Sequence, residues 1–387
     1  MSHTTPLSES SLSRRKALGF GLLGAASLTA VLTGCSTGSD TPAASAGAAD
    51  FPSYYPADYS AIVDASKAEG GKLTIYSNTD QENWAPILRD FKAKYPWTQV
   101  SADNLDSDEV FQRQLSEMAT GKAPADMLVS NAVQAWANYA SDPSRLMAYD
   151  SPETKELPKN AVLMPNVWAM SLDPVGILYN TALLKDEPAS IEALAKTVSA
   201  DSATFKNKIT TRDVKGAWGF TVSHAFTEGN SDAWTGLDEI LPAARPETSS
   251  GTQKEKIMSG EYVAGFFISS AVGYPAQDAS GGLVKFVLPT DGTVVLGRGI
   301  GITPKAPHPA TAKLFLDFVL SETGQNAVAE GGLSSYRESV ELTEGRHTYQ
   351  EVEKVAGKDG IIQVPYEVVP DADVTSFVSK WDAQLGA

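Results

Sequence analysis

One cysteine, Cys35, occurs in 387 residues, and histidine occurs four times, at His3, His224, His308 and His347. A lone thiol excludes an internal disulfide and any cysteine-built metal site, and the scattered histidines show no ligand spacing. Enzyme signatures are equally scarce. The chain has no Gly-x-x-x-x-Gly-Lys loop, no His-Glu-x-x-His and no Cys/His pair, and past the first 50 residues no Gly-x-Ser-x-Gly elbow. Carboxylates abound, but nothing in their spacing favours a glycosidase pair. Positive charge is short: 31 Lys and Arg against 47 Asp and Glu give a formal charge of −16. That balance argues against nucleic acid or an anionic membrane surface as partner. After the first 34 residues no run is long and apolar enough to span a bilayer.

What the chain does hold starts at Leu32-Thr33-Gly34-Cys35. Small residues before a lone cysteine, just past an apolar run, read as a bacterial lipobox. Cleavage would precede Cys35, and its thiol would carry a diacylglycerol. Free cysteines are commonly buried in cores, but the upstream context here is a complete export signal. Ser13-Arg14-Arg15-Lys16 is charged, and residues 17–32 are apolar or small throughout. Paired arginines before a Gly/Ala-rich stretch point to twin-arginine export. Ala17 stands where that motif has a large apolar residue, which leaves Sec export open. Removing residues 1–34 takes away Arg14, Arg15, Lys16 and Glu9 and moves the formal charge from −16 to −18.

Residues 35–59 read as a flexible tether. Residues 36–50 are Ser, Thr, Gly, Ala, Pro and Asp, too poor in apolar area to offset ordering entropy. The remainder is longer than one hydrophobic core usually serves, so two lobes are expected. A short helix over residues 62–69 ends at Gly70-Gly71, and a strand over residues 72–76 follows. Thr79 and Glu82 have capping-box spacing before a helix with apolar Trp84, Ile87, Leu88 and Phe91. A strand at residues 99–102, a helix from Asp106 and Glu109, a strand at 126–130 and a helix carrying Trp136 complete a β-α-β-α-β-α run. That order implies a parallel sheet with helices on both faces. Further strands are expected at 167–170 and 176–180 around a turn at Asp173-Pro174, then at 208–211, 262–270, 283–288 and 292–302. Helices are expected at 190–196, 234–241, near Ile257 and Met258, at 310–320, and around Phe377 and Trp381.

These pieces carry a family resemblance. Ala65-Ser66-Lys67-Ala68-Glu69-Gly70-Gly71-Lys72-Leu73-Thr74-Ile75-Tyr76-Ser77 resembles the first strand of extracellular solute-binding proteins of ABC importers. The likeness is to the branch of ferric-iron, thiamine and phosphonate binders. Gly176-Ile177-Leu178-Tyr179-Asn180 resembles that branch's strand into the second lobe. Asp291-Gly292-Thr293, Gly299-Ile300-Gly301-Ile302, Ala306-Pro307-His308-Pro309 and Ser321-Glu322-Thr323-Gly324-Gln325 extend the likeness, which spans most of residues 60–340. The resemblance implies an α/β, two-lobe, type II periplasmic-binding-protein-like fold with hinge strands and a ligand cleft between lobes. Residues 60–180 plus 289–332 would form one lobe, and 181–288 plus 333–387 the other. Ferric-binding members carry adjacent tyrosines where this chain has Ser269-Ser270-Ala271-Val272. Serine hydroxyls are poor substitutes for phenolates, so iron is not carried over.

In open α/β sheets ligands lie beyond the carboxyl ends of strands. Four loops fit: Ser77-Asn78-Thr79, Ser130-Asn131, Ser249-Ser250-Gly251-Thr252 and Ser269-Ser270. Each offers hydroxyls or amides and free N–H groups that could cradle an anion; each could equally be plain helix capping. Arg298 sits in an apolar stretch, where its guanidinium must either pair with a carboxylate or face the cleft and grip an anion. Tyr336 lies where family members contact ligand. The expectation is a monomeric, lipid-anchored, extracytoplasmic binder of a small anion-bearing solute, with no cofactor or metal, delivering to ABC permease subunits. The alternatives are a sensory lipoprotein with a signalling partner, or a ferric-iron or polyamine binder.

Overall fold

The computed structural model describes residues 51–122, 125–340, 343 and 345–385. The export signal, Cys35 and residues 36–50 lie outside them. Residues 51–59, read above as the end of the tether, belong instead to the folded body. Their aromatic rings explain it: Phe51 stacks on Tyr55, both meet Tyr59 edge to face, and all three pack into the first core.

The described residues form strands β1 Lys72–Ser77, β2 Gln99–Asn104, β3 Met127–Ser130, β4 Val162–Met164, β5 Val167–Asn180, β6 Ile209–Arg212, β7 Ala244–Glu247, β8 Ala264–Ser269, β9 Val284–Val287, β10 Thr293–Ile302 and β11 Ile361–Gln363. Their order is β2-β1-β3-β10-β5-β8-β6-β7, with β11 on β10 and both β4 and β9 on β5. Parallel pairing of β1 with β2 and β3 bears out the expected β-α-β-α-β run. A second parallel group joins β6 to β7 and β8. Antiparallel β5 and β10 lie between the two groups.

The expected turn at Asp173-Pro174 does not form; β5 runs unbroken through it for 14 residues, all buried. Asp173 is unavailable for a turn because its carboxylate is occupied by Arg298, Ser171 and the Ser334 N–H. Pro174 is tolerated because it falls where β5 exchanges partners, from β10 at Val295 to β8 at Ser269; a residue lacking an N–H suits that handover. Next to it, β8 carries an extra residue relative to β5 between Gly176 and Leu178. Phe267 absorbs this bulge at a φ of 56°, a conformation costing about 1–3 kcal/mol in a bulky residue.

Of the helices absent from the expectations above, two have a plain physical reason. Ala217–Gly229 buries Trp218, Phe220, Val222 and Phe226 around its circumference, so no 3.6-residue stripe marks it. Ser270–Ala279 contains Gly273 and Pro275, residues that usually break helices.

Each parallel group has its own core. Trp84, Ile87 and Phe91 of the helix Gln81–Lys94 pack with Leu314, Phe315 and Phe318 of Pro309–Leu320 against Leu73, Ile75, Met127 and Val129. Ile177, Ile209, Val222, Phe226, Leu237 and Phe266 form the other core, closed by Phe377 and Trp381 of Asp371–Gln384.

The amino-terminal rings are held by buried carboxylates. Tyr55 donates to Glu153 Oε1 at 2.6 Å, and Arg337 pairs with the same carboxylate. Tyr59, Tyr149 and Ser151 each donate to Asp317 at 2.6 Å. Burial raises the Asp317 carboxyl from 3.8 to about 6, with those three hydroxyls pulling the other way. A folded value above the unfolded one means that the group favours the fold fully below 3.8 and loses that contribution as pH rises through about 6. The hydroxyl donors therefore matter most when Asp317 is ionised. Tyr149→Phe should lower unfolding free energy by about 1.5–3 kcal/mol at about pH 7.5, and by about 0.5–1.5 kcal/mol at about pH 4.5, in urea titrations.

Candidate functional site

The carboxyl ends of both parallel groups open onto one cleft of about 560 Å3. One wall comes from Asn78, Thr79 and Asp80 after β1, residues 104–109 after β2, and Asn131 after β3. The facing wall comes from Arg212, Asp213, Gly216 and Trp218 after β6, residues 248–251 after β7, and Ser269, Ala271 and Val272 after β8. Arg298 of β10 contributes between them.

Of the residues expected from sequence, Asn78, Thr79, Asn131, Ser249, Ser250, Gly251, Ser269 and Arg298 line this cleft. Ser77, Ser130, Thr252, Ser270 and Tyr336 are not among the lining residues. Ser77 and Ser130 are turn-formers, their hydroxyls accepting from the N–H groups of Thr79 and Ala132. The Thr252 N–H and hydroxyl are bonded to Ser249, the N-cap of Ser250–Met258. Ser270 is wholly buried. Tyr336 donates to the Ala169 carbonyl at 2.7 Å inside a third apolar cluster. The capping box at Thr79 and Glu82 is absent: Gln81–Lys94 has Asp80 as N-cap with no side-chain cap bond.

Thr79 is instead engaged by Arg298. That guanidinium is 2% exposed. It donates from Nε to Asp173 Oδ2 at 3.0 Å and from Nη1 to Thr79 Oγ1 at 2.8 Å, while Nη2 lies 3.0 Å from the same carboxylate oxygen. Arg298 is therefore the partner of an internal carboxylate, 125 positions away in sequence.

The cation that sequence reasoning missed is Arg212. It is 8% exposed, stacks over the Trp218 ring at 4.7 Å, and its buried Nε has no hydrogen-bond partner. Burial lowers its pKa to about 10, opposed by Asp213 and Asp106, so it is charged at neutral pH. Its position at the end of β6 was an available signal, because the strand-end rule that selected Ser130 applies equally there. Two contacts join the walls: the Ala217 N–H reaches Asp108 Oδ2 at 3.4 Å, and Asn83 Nδ2 donates to the Ala271 carbonyl at 3.1 Å.

Beyond the arginines, the lining is rich in helix starts. Gln81–Lys94, Val133–Ala140, Ala217–Gly229, Ser250–Met258 and Ser270–Ala279 all begin at or beside lining residues. Their N–H groups and positive dipole ends favour an anion.

A model of the bacterial extracellular solute-binding protein family matches residues 86–354. The chain belongs to that family. Membership makes it a solute-binding protein rather than an enzyme, and implies an extracytoplasmic location. No helix among the described residues is long and apolar enough to cross a membrane. No curated protein sequence matches the chain. Among solved structures, the substrate-binding protein of an ABC transporter from Agrobacterium tumefaciens is 21% identical with a TM-score of 0.73, covering 82% of this chain and 96% of that one. AfuA from Actinobacillus pleuropneumoniae, with fructose-6-phosphate bound, is 19% identical with a TM-score of 0.64, covering 81% and 98%. Iron-bound HitA from Pseudomonas aeruginosa is 19% identical with a TM-score of 0.59, covering 82% and 99%. These likenesses show the two-lobe, type II fold.

Breaking the internal pair should cost more than removing it. Asp173→Asn strands a buried guanidinium and should cost about 3–5 kcal/mol, whereas Asp173→Leu combined with Arg298→Met should recover part of that loss, the buried Ser334 N–H and Ser171 hydroxyl still lacking their acceptor. Urea midpoints of the two variants check the ordering.

Proposed function

We propose that this solute-binding protein is a lipoprotein that captures a small anion-bearing solute and delivers it to an ABC permease. One observation carries the anion: Arg212 is a charged, nine-tenths-buried guanidinium on the cleft wall with no carboxylate in ion-pair contact among the described residues. Leaving such a charge unmatched is expensive, and a ligand oxygen accepting from it would offset that cost. The helix starts around the cleft supply further donors for the same group. Fructose-6-phosphate in one structural neighbour is an anion of this class. Iron, bound in another, is a poorer match. The cleft lining has no tyrosine, histidine or cysteine, and no group of three or more metal-ligating side chains occurs among the described residues.

The lobes, residues 60–180 plus 289–332 and 181–288 plus 333–387, would close on the solute by hinge motion. β5 and β10, which lie between the two parallel groups, are the natural hinge strands. The placement of Phe377 and Trp381 in the second core supports assigning the tail to the second lobe. Cys35, acylated after export, would hold a monomer at the outer face of the cell membrane through lipid alone, and the Arg14-Arg15 pair supports twin-arginine export.

Arg212→Gln should weaken binding of an anionic ligand by roughly tenfold or more in calorimetric titrations. Loss of less than about twofold would remove Arg212 from the site. Cys35→Ser should release a folded protein from the membrane fraction, and an unmodified Cys35 in mass spectra of the native protein would refute the anchor.

A further inference from the structure

We infer that the solute captured here carries an amine as well as an anion, and that Asp106 and Glu109 receive the amine. This rests on the anion reading above and adds to it a second recognition group on the facing wall.

The charge inventory of the cleft motivates it. Five carboxylates, Asp80, Asp106, Asp108, Glu109 and Asp213, share the lining with two guanidiniums. Arg298 is already matched by Asp173. A purely anionic ligand held by Arg212 would therefore enter a cleft in which negative charge predominates, and like charges at close range are mutually unfavourable. A ligand with both signs removes the conflict, with one end at Arg212 and the helix starts and the other on the acidic wall.

The hydrogen bonds rank the carboxylates by how far the protein already engages them. Asp80 accepts from Asn104 Nδ2 at 3.0 Å, Asp108 from the Ala217 N–H at 3.4 Å, and Asp213 from the Lys215 N–H at 3.0 Å. The side chains of Asp106 and Glu109 have no hydrogen bond or ion pair among the described residues. They flank the start of the helix Glu109–Ala119, Asp106 three residues before its first residue and Glu109 at it, and both line the cleft. Asp106 shares the cleft with Arg212 and helps to hold up its charge. A ligand with its anion on Arg212 thus shares the cleft of about 560 Å3 with carboxylates that no group among the described residues engages.

Calorimetry on the full chain with two matched pairs tests this: phosphoethanolamine against ethyl phosphate, and γ-aminobutyrate against butyrate. Members of a pair share an anion and differ by an amine. In at least one pair the aminated member should bind roughly tenfold or more tightly, one charge-assisted hydrogen bond's worth. Asp106→Asn or Glu109→Gln should shrink that ratio while the unaminated members still bind. Equal affinities within each pair, both lost in Arg212→Gln, would overturn the inference and leave the anion reading standing. Tight binding of putrescine that ignores Arg212→Gln would overturn both. An amine preference that survives Asp106→Asn combined with Glu109→Gln would overturn the assignment to these carboxylates, and failure of all five probes to bind would overturn the ligand class.

Discussion

A buried charge tolerates few arrangements, and the pair between Asp173 and Arg298 satisfies that constraint at the junction of the molecule. Neither group can be left alone in a dry interior without a cost of several kcal/mol. Their union fixes β5 against β10, the two strands that lie between the parallel groups. The same carboxylate takes the Ser171 hydroxyl and the Ser334 N–H, and the same guanidinium takes the Thr79 hydroxyl at the cleft. The junction and the cleft therefore share one network. A displacement of Thr79 has a direct route to the strands on which lobe motion would turn.

Much of the architecture was legible because it is written locally. Alternation in Lys72–Ser77, glycine after Ser60–Ala68 and the apolar stripe of Gln81–Lys94 are each decided within a dozen residues. What escaped was decided at long range. Asp173-Pro174 has the composition of a turn, and partners far along the chain, Arg298 and the Ser334 N–H, hold it as strand. Ala217–Gly229 lacks a stripe because tertiary packing covers it on every side. Residues 51–59 already differ from the polar segment before them in their aromatic residues, but the partners of those rings, the first core and the carboxylates Glu153 and Asp317, lie far along the chain.

The cleft was legible in kind and less so in detail. The rule that ligands lie beyond strand ends placed Asn78, Asn131, Ser249 and Ser269 correctly on one surface. It could not separate hydroxyls that face the cleft from those consumed by the turns themselves, as in Ser77 and Ser130. Nor could it weigh the two arginines. Arg298 stands out in sequence because its neighbours are apolar, while Arg212 follows two threonines and precedes an aspartate and so looks ordinary. Partnership is a property of the folded state: Arg298 is paired with Asp173, and Arg212 has no carboxylate in ion-pair contact among the described residues.

The unbroken course of β5 also bears on how the molecule comes apart. Its first half is laddered to β10 and its second half to β8 and β9, so a single strand is a structural member of both cores. Two domains strung on a loose linker can melt one at a time. Here neither core can lose its ladder without releasing a segment that the other depends on, and β10 adds a second such dependency. A chain of this size, divided by a cleft, is thereby built to unfold as one cooperative unit, and bound solute would stabilise the whole of it rather than one half.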